Sequence, residues 1–252
     1  MHAELAGAKI WLEDTGGKGP AVVLLHARTG SAAMWKHQLG AFGAAGYRCV
    51  AYDRRDSGRS EATKGAIPAD DLLRLVDHLG IDRFHLVGTA AGGIVVLDFA
   101  LSHPGRLRSL VFANSVGSAE IKEDPAYATV AGHLRPRDDL PPEIRELSPA
   151  YRARNPQGTL EWVKLGEETA RKKPAFPATR NRITLTRLEE ISTPALLITG
   201  DVDPYTPPQA LEVFHRRIPN STSVVIPECS HSAFWEQPER FNREVLGFIA
   251  AH

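Results

Sequence analysis

Three short loops are candidates for a reactive site, and they centre on Ala90, on Asp201–Asp203 and on His231. A histidine can act as a general base near neutral pH, because the imidazole gains and loses its proton in that range. A buried carboxylate from the second loop would fix the tautomer of this histidine and stabilise its imidazolium form. The pattern therefore indicates proton transfer to and from a bound molecule.

The stretch Phe84–Gly93 reads as a short strand, a tight turn and the start of a helix. Gly88 and Gly92 flank the turn, where so sharp a bend brings the chain very close to neighbouring backbone. This is the layout of a nucleophile elbow, G-x-S-x-G, which presents a serine hydroxyl to a substrate carbonyl. Ala90 stands in the serine position, and a methyl group cannot attack a carbonyl. The sequence predicts an elbow without its nucleophile.

The elements around these loops predict an α/β fold with a mostly parallel central sheet and helices on both faces. The apolar run Ala21–Leu25 and the predicted strands Arg48–Tyr52 and Leu107–Ala113 alternate with segments of helical periodicity. In such sheets the loops at the carboxyl ends of the strands gather at one edge. We therefore expect the three loops to meet there.

One segment, residues 117–187, interrupts the alternation of strands and helices. It is rich in charge and proline, and its helical patterns are short. We interpret it as a helical cap inserted into a core domain made of residues 1–116 and 188–252. Leu147 and Trp162 give the segment apolar surface to bury, which argues against a disordered linker.

The composition limits the classes of partner. The 252 residues include 30 basic and 30 acidic side chains, so the chain lacks the electrostatic footprint of a protein that binds nucleic acid or an anionic membrane. We expect a small-molecule substrate, and the sequence leaves a homodimer open. Cys49 and Cys229 lack metal-ligand spacing, and nothing calls for a metal or cofactor. With no secretory pattern and no long apolar stretch, the expected location is cytoplasmic.

The order of the three loops resembles that of the α/β-hydrolase superfamily, in which nucleophile, acid and histidine follow one another along the chain. Five segments in register carry the resemblance, which covers nearly the whole chain: LLHARTGSAAMW, AYDRRDSGRS, DLLRLVDHLGID, LLITGDVDPYTPP and SHSAFWEQPERFNREVLGFI. The resemblance implies the α/β-hydrolase fold and an activity like that of esterases, enol-lactonases or meta-cleavage-product hydrolases. The implied substrate is a small carboxylic ester or lactone.

The resemblance also implies the roles of individual residues. Asp203 would be the acid and His231 the base, because the family's acid normally lies three residues beyond the glycine that ends its strand. Asp201 would then serve the turn. The oxyanion hole would be formed by the backbone amides of Arg28 and Ala91, so neither donor depends on the missing serine.

The sequence predicts the residues that contact the substrate less closely than it predicts the acid and the base. The Arg28 guanidinium could point into the pocket and hold a substrate carboxylate, or it could pack outward in a surface ion pair. Together with arginines in the cap, it favours an acidic substrate. The cap arginines are Arg135, Arg137, Arg145, Arg152 and Arg154. Four aromatic residues could form an apolar wall for the substrate, or could simply pack in the core and cap. They are Trp35, Trp162, Phe176 and Trp235.

Three explanations account for alanine at position 90. The chain could be a serine hydrolase with its nucleophile replaced, since every other part of the machinery is retained. It could be a natural lyase or cofactor-free oxygenase that needs only the His231–Asp203 base, or a non-catalytic binding protein. Ser31, Ser115 and Ser230 occupy no elbow, so we expect no substitute nucleophile. We favour the first explanation, which predicts a chain that binds ligand but hydrolyses it poorly.

Overall fold

The computed structural model describes residues 1–5, 7–63, 65–131, 139–172 and 174–252. These residues form one eight-stranded sheet. Its strands are β1 (His2–Leu5), β2 (Ala8–Asp14), β3 (Ala21–Leu25), β4 (Arg48–Tyr52), β5 (Phe84–Thr89), β6 (Leu107–Ala113), β7 (Ala195–Gly200) and β8 (Ser221–Ile226). Their order across the sheet is β1-β2-β4-β3-β5-β6-β7-β8. The two pairings of β2 are antiparallel and all others are parallel, so the mostly parallel sheet is confirmed.

Helices connect the strands. They are α1 (Lys36–Ala44), α2 (Pro68–His78), α3 (Ala91–Ser102), α4 (Pro125–Ala131), α5 (Pro142–Glu146), α6 (Pro149–Arg154), α7 (Pro156–Ala170), α8 (Leu185–Leu188), α9 (Pro208–Arg217), α10 (Ala233–Glu236) and α11 (Pro238–Ile249). Short 3-10 turns occur at Ala32–Trp35, Pro104–Arg106 and Ile121–Glu123. None of the helices described is long and apolar enough to cross a bilayer.

The sheet is covered on both faces, as the alternation along β3 shows. Val23 and Leu25 join an apolar cluster with residues of α2, α3 and α9, whereas Val22 and Leu24 join a second cluster with residues of α1 and α11. Because both faces are buried, β3 is a continuous apolar run instead of an alternating one. The bounds of β3, β4 and β6 coincide with the sequence prediction.

The segment between β6 and β7 carries α4 to α8 and, in its described part, no strand. Leu147 and Trp162 are buried in the cluster that also contains Trp35, and α7 contacts the turn Ala32–Trp35 of the core. Residues 132–138, with Arg135 and Arg137, lie outside the described residues. The division into cap and core domains stays a prediction.

Candidate active site

Ala90 occupies the turn between β5 and α3, with φ 49° and ψ −115°. Non-glycine residues rarely adopt such a conformation, which costs roughly 1–3 kcal/mol. Its amide donates to the carbonyl of Ala113 at 3.0 Å. Its carbonyl accepts from the hydroxyl of Ser115 at 2.5 Å and from the amide of Gly93 at 3.0 Å. The elbow geometry is therefore held by backbone groups and Ser115, with no contribution from a side chain at position 90.

Close backbone packing explains the two glycines of the elbow. A Cβ at Gly92 would lie 2.2 Å from the carbonyl oxygen of Leu25, and one at Gly88 would lie 2.7 Å from that of Gly92. Both distances are far below van der Waals contact. The elbow thus needs glycine on both sides of Ala90 for lack of space.

His231 and Asp203 form a hydrogen-bonded pair. Nδ1 of His231 lies 2.9 Å from Oδ2 and 3.0 Å from Oδ1 of Asp203. A carboxylate only accepts, so Nδ1 carries the proton and Nε2 is left to act as the base. Asp201 has a different role, since its Oδ1 accepts from the amide of Cys229 at 3.2 Å and joins the acid loop to the histidine loop.

The carboxylate of Asp203 is buried among donors. It accepts from the amides of Tyr205 and Thr206 at 2.8 and 3.0 Å, from the Thr206 hydroxyl at 2.5 Å and from Asn114 Nδ2 at 3.0 Å. Burial acts to raise the pKa of Asp203, but the charge of His231 and these donors lower it well below its usual range. Asp203 therefore stays ionised beside the histidine.

The pKa of His231 is set by opposing effects. Burial acts to lower it, whereas the charge and hydrogen bond of Asp203, followed by the charges of Glu146 and Glu236, raise it above its ordinary value. The carboxylates around the ring favour the imidazolium form. His231 is consequently arranged to accept a proton and hold it.

Glu146, at the end of α5, is a second carboxyl group in this site. Its carbonyl accepts from the amide of His231 at 3.1 Å, and its Oε2 accepts from the hydroxyl of Thr29 at 3.2 Å. Burial raises the pKa of Glu146, an effect reduced by the charge of His231 and the bond from Thr29. Sequence reasoning missed this residue, because nothing in the local pattern of α5 distinguishes it from a surface glutamate.

The peptide between Ala27 and Arg28 is fixed by its carbonyl oxygen. That oxygen accepts from Nη2 of Arg54 at 3.2 Å, from Nδ1 of His26 at 2.6 Å and from the amide of Gly30 at 3.1 Å. In a trans peptide the N–H points opposite to the C=O, so the amide of Arg28 is directed away from these three donors. His26 Nε2 accepts from the amide of Arg54 at 3.0 Å, which holds the ring in its neutral Nδ1–H tautomer.

The second amide expected in the oxyanion hole belongs to Ala91, the first residue of α3. Amides in the first turn of a helix have no partner within the helix. Within the described part of the chain, neither this amide nor that of Arg28 has a protein acceptor. Both residues line the cavity that Ala90 lines, so both donors are available to a bound oxyanion.

A cavity of about 480 Å³ joins these groups. Ala90, Glu146 and His231 line it together with Ile94 and Tyr205. The ring of Tyr205 packs on the imidazole of His231 with centroids 4.5 Å apart. Among the described residues, no group of three or more His, Cys, Asp or Glu side chains is placed to hold a metal ion.

A model of the alpha/beta hydrolase family matches residues 22–244. The chain belongs to this family. It is 29% identical over 266 residues to a 2-hydroxy-6-oxononadienedioate/2-hydroxy-6-oxononatrienedioate hydrolase of Burkholderia vietnamiensis, which covers 96% of this chain and 91% of that protein.

Two solved structures show the same fold. A thermophilic esterase from Thermogutta terrifontis, with malate bound, is 27% identical with a TM-score of 0.79, over 99% of this chain and 96% of that one. The enol-lactonase from Burkholderia xenovorans LB400 is 23% identical with a TM-score of 0.79, over 99% of this chain and 100% of that one. The α/β-hydrolase fold inferred from the sequence is confirmed.

The tryptophans of this α/β hydrolase do not form the expected substrate wall. Trp35, Trp162 and Trp235 are at most 2% exposed, and none lines the cavity with His231. Trp35 packs on the ring of Phe234 with centroids 4.5 Å apart. Large indole rings gain most from complete burial, and here the core takes all three. Phe176, 70% exposed, is the one of the four aromatic residues that lines the cavity.

The hydrolase places the Arg28 guanidinium 4.7 Å from the centroid of the Phe176 ring. Arg28 lines the cavity, and no carboxylate among the described residues pairs with it. Of its two interpretations, the geometry supports a side chain at the cavity mouth over a surface ion pair. Arg145 of the predicted cap lines the same cavity.

The three serines considered as substitute nucleophiles, and Thr89, are not placed for that role. Ser31 and Ser230 do not line the cavity, and neither does Thr89. Ser115 does, but its hydroxyl donates to the carbonyl of Ala90 and accepts from the amide of Gly117 at 3.0 Å. It holds the elbow in place and is not positioned on a base.

Proposed function

We propose that the site is built to hydrolyse a small carboxylic ester or lactone, and that alanine at position 90 leaves this chain without its nucleophile. The observation that carries the proposal is the backbone of Ala90, held in a strained elbow conformation next to the His231–Asp203 pair. A non-catalytic turn needs neither that strain nor an ionised carboxylate behind a histidine. The names of the relatives, esterase, lactonase and hydrolase of a ring-cleavage product, support the same class of reaction.

With serine at position 90, we expect these residues to catalyse acyl transfer. The serine oxygen attacks the carbonyl carbon while Nε2 of His231 takes its proton, and Asp203 stabilises the imidazolium. The amides of Arg28 and Ala91 donate to the oxyanion, and His231 returns the proton to the leaving oxygen. A water molecule activated by His231 then hydrolyses the acyl-enzyme. With alanine there is no covalent step, so we expect this chain to bind substrate and turn it over slowly.

The substrate is expected to be small and acidic. A cavity of about 480 Å³ accommodates a ligand of modest size. Arg28 supplies positive charge at its mouth without a carboxylate partner among the described residues. The hydrolase relative is named for a dicarboxylate, and the esterase was solved with malate. These observations support a carboxylate on the substrate.

A second candidate function is chemistry by the base alone, as in a natural enzyme that never had the serine. Glu146 favours it, because a second buried carboxyl group lies beside His231 in the same cavity. Such a pair could take a proton from water or from a carbon acid without any covalent intermediate. If the protein instead binds a ligand without any catalysis, the cavity alone is sufficient.

The deciding experiment compares this chain with its Ala90→Ser variant on a panel of aryl esters and lactones. We expect serine to raise turnover by about a thousandfold or more, since loss of a nucleophile costs several orders of magnitude in such enzymes. Adding His231→Gln to the serine variant should return turnover to the alanine level. If serine restores nothing while the alanine form turns over a substrate other than an ester, base-only chemistry replaces the hydrolase proposal.

A further inference from the structure

A second cavity of about 360 Å³ lies next to the active-site cavity, and Phe176 lines both. Tyr52, the last residue of β4, and Arg54 in the following loop also line the second cavity. Arg54 forms part of the wall between the two, because its Nη2 donates to the carbonyl of Ala27, which lines the active-site cavity.

Two buried donors in this second cavity have nothing to donate to. Tyr52 and Arg54 are 2% and 5% exposed, yet Tyr52 Oη and Arg54 Nε have no hydrogen-bond partner among the described residues. Burial and the charge of Asp71 raise the pKa of the Tyr52 hydroxyl, so it keeps its proton. Buried donors are nearly always paired in folded proteins, so this site calls for an acceptor.

The positive charge of Arg54 also lacks a direct counter-ion. No carboxylate among the described residues lies within ion-pair distance of its guanidinium, in contrast to Arg55, which binds Asp71 at 2.6 and 2.9 Å. Burial lowers the pKa of Arg54 to about 10, a shift that Tyr52 and the charge of Asp53 oppose and the charge of Arg28 reinforces, so Arg54 remains charged at neutral pH. Asp56 and Asp71 line the cavity too, but Asp71 is ion-paired with Arg55 and the charge of Asp56 also acts on Arg55.

We propose that the second cavity is a carboxylate subsite beside the active site, in which Arg54 and Tyr52 bind the carboxylate of an acidic ligand. A carboxylate accepts from a guanidinium and a phenol in charge-assisted bonds, which matches two donors and one positive charge. This proposal rests on the proposed function. It moves the carboxylate from Arg28, at the exposed mouth, to a buried site on the other side of the Ala27–Arg28 peptide.

The subsite would also link recognition to catalysis. Arg54 holds the carbonyl of the peptide whose amide, that of Arg28, is the expected oxyanion donor. A carboxylate bound to the Arg54 guanidinium would restrain that side chain and, through it, the orientation of the peptide. Acidic substrates would therefore be both bound and correctly oriented.

The test is calorimetric binding to the chain as it stands, with glutarate and its neutral analogue dimethyl glutarate as probes. We expect glutarate to bind at least about tenfold more tightly than the diester, and Tyr52→Phe to weaken glutarate by about tenfold, as loss of a charge-assisted bond predicts. Phenylalanine keeps the packing of Tyr52, which makes no hydrogen bond to lose. Tyr47→Phe, in a tyrosine that lines neither cavity, is the matched control and should change nothing.

Glutarate binding to the Arg28→Gln variant shows whether the carboxylate binds at the cavity mouth or in the second cavity. If that variant abolishes glutarate binding while Tyr52→Phe leaves it unchanged, the carboxylate binds at the cavity mouth and the proposal is wrong. Equal binding of the two probes, or no binding of glutarate, overturns it as well. Because these measurements need no turnover, they decide the subsite even if Ala90→Ser is inactive on esters, which would refute only the proposed function.

Discussion

Among single residues, Ala90 has the backbone geometry of a nucleophile but no reactive side chain. Ala90 keeps a conformation that a nucleophile needs, while its methyl group offers no atom that can attack. His231 keeps both the carboxylate that orients it and the surroundings that raise its pKa. The effects that orient His231 and raise its pKa are therefore present beside a residue whose side chain carries no hydroxyl.

Glu146 provides a test of what sets the basicity of His231. Its charge helps raise the pKa of the imidazole, so Glu146→Gln should lower that pKa. The backbone bond from the amide of His231 to the carbonyl of residue 146 is unaffected by the change. NMR titration of the His231 imidazole in this chain measures the shift directly.

Glu161→Gln is the matched control, because Glu161 pairs with Lys36 at the surface and should leave the titration of His231 unchanged. A titration midpoint that does not move in Glu146→Gln would mean that the carboxyl of Glu146 is protonated already at neutral pH.

Among the elements, the amides predicted to form the oxyanion hole are parts of the backbone, so strand and helix ends place them. The loop after β3 presents the amide of Arg28, and the first turn of α3 presents that of Ala91. The two meet because α3 packs so tightly on β3 that no side chain fits at Gly92. A change at this contact should therefore affect folding and the site together.

We predict that Gly92→Ala lowers the free energy of unfolding by about 3 kcal/mol or more, because its Cβ would overlap the carbonyl of Leu25 and force backbone to move. Gly40→Ala is the control, since Gly40 lies exposed in α1 with nothing within 4 Å of a new Cβ. It should raise stability by about 0.5–1 kcal/mol through helix propensity. Urea unfolding measures both, and similar values for the two variants would show that the elbow can relax.

At the scale of the whole molecule, one parallel sheet covered on both faces brings distant loops to a single edge. Asp203 follows β7 and His231 follows β8, two neighbouring strands, so the pair forms once the sheet is assembled. Its hydrogen bonds therefore contribute to global stability, and their contribution depends on pH in a defined direction.

The folded state lowers the pKa of Asp203 from 3.8 and raises that of His231 from 6.5. The stabilisation from the carboxylate is present above the first value and lost as the pH falls. The stabilisation from the imidazolium is present below the second value and lost as the pH rises through the raised pKa. The pair is therefore most stabilising between these two values.

Asp203→Asn should lower the free energy of unfolding by about 3 kcal/mol near pH 5.5, where the ion pair is intact, and by less near pH 9, because the imidazolium is lost as the pH rises through the raised pKa of His231. Urea unfolding at the two pH values measures the difference. Asp201→Asn, which loses no bond to a histidine, should show little change between them. An equal loss at both pH values for Asp203→Asn would mean that His231 is uncharged throughout.

Local sequence patterns were enough to predict most strands and helices and the order of the loops. The bounds of β3, β4 and β6 could be predicted residue by residue, and β3 is the clearest case because a buried parallel strand reads as a continuous apolar run. The elbow glycines and the His231 loop could be found because their spacing is local. The edge strand β1 was missed, because four residues paired in a short hairpin give too weak an alternation.

The residues around His231 and along the cavities could be identified only in the folded chain. Glu146 reaches His231, and Arg54 reaches Ala27, across stretches of chain whose local patterns are unremarkable. The same holds for the tryptophans: indole side chains suit a pocket wall and a core equally well, and the packing of α1 and α11 on the sheet placed Trp35 in the core. Side-chain surroundings depend on contacts between distant segments, and these are set by the assembled sheet and not by any local run of residues.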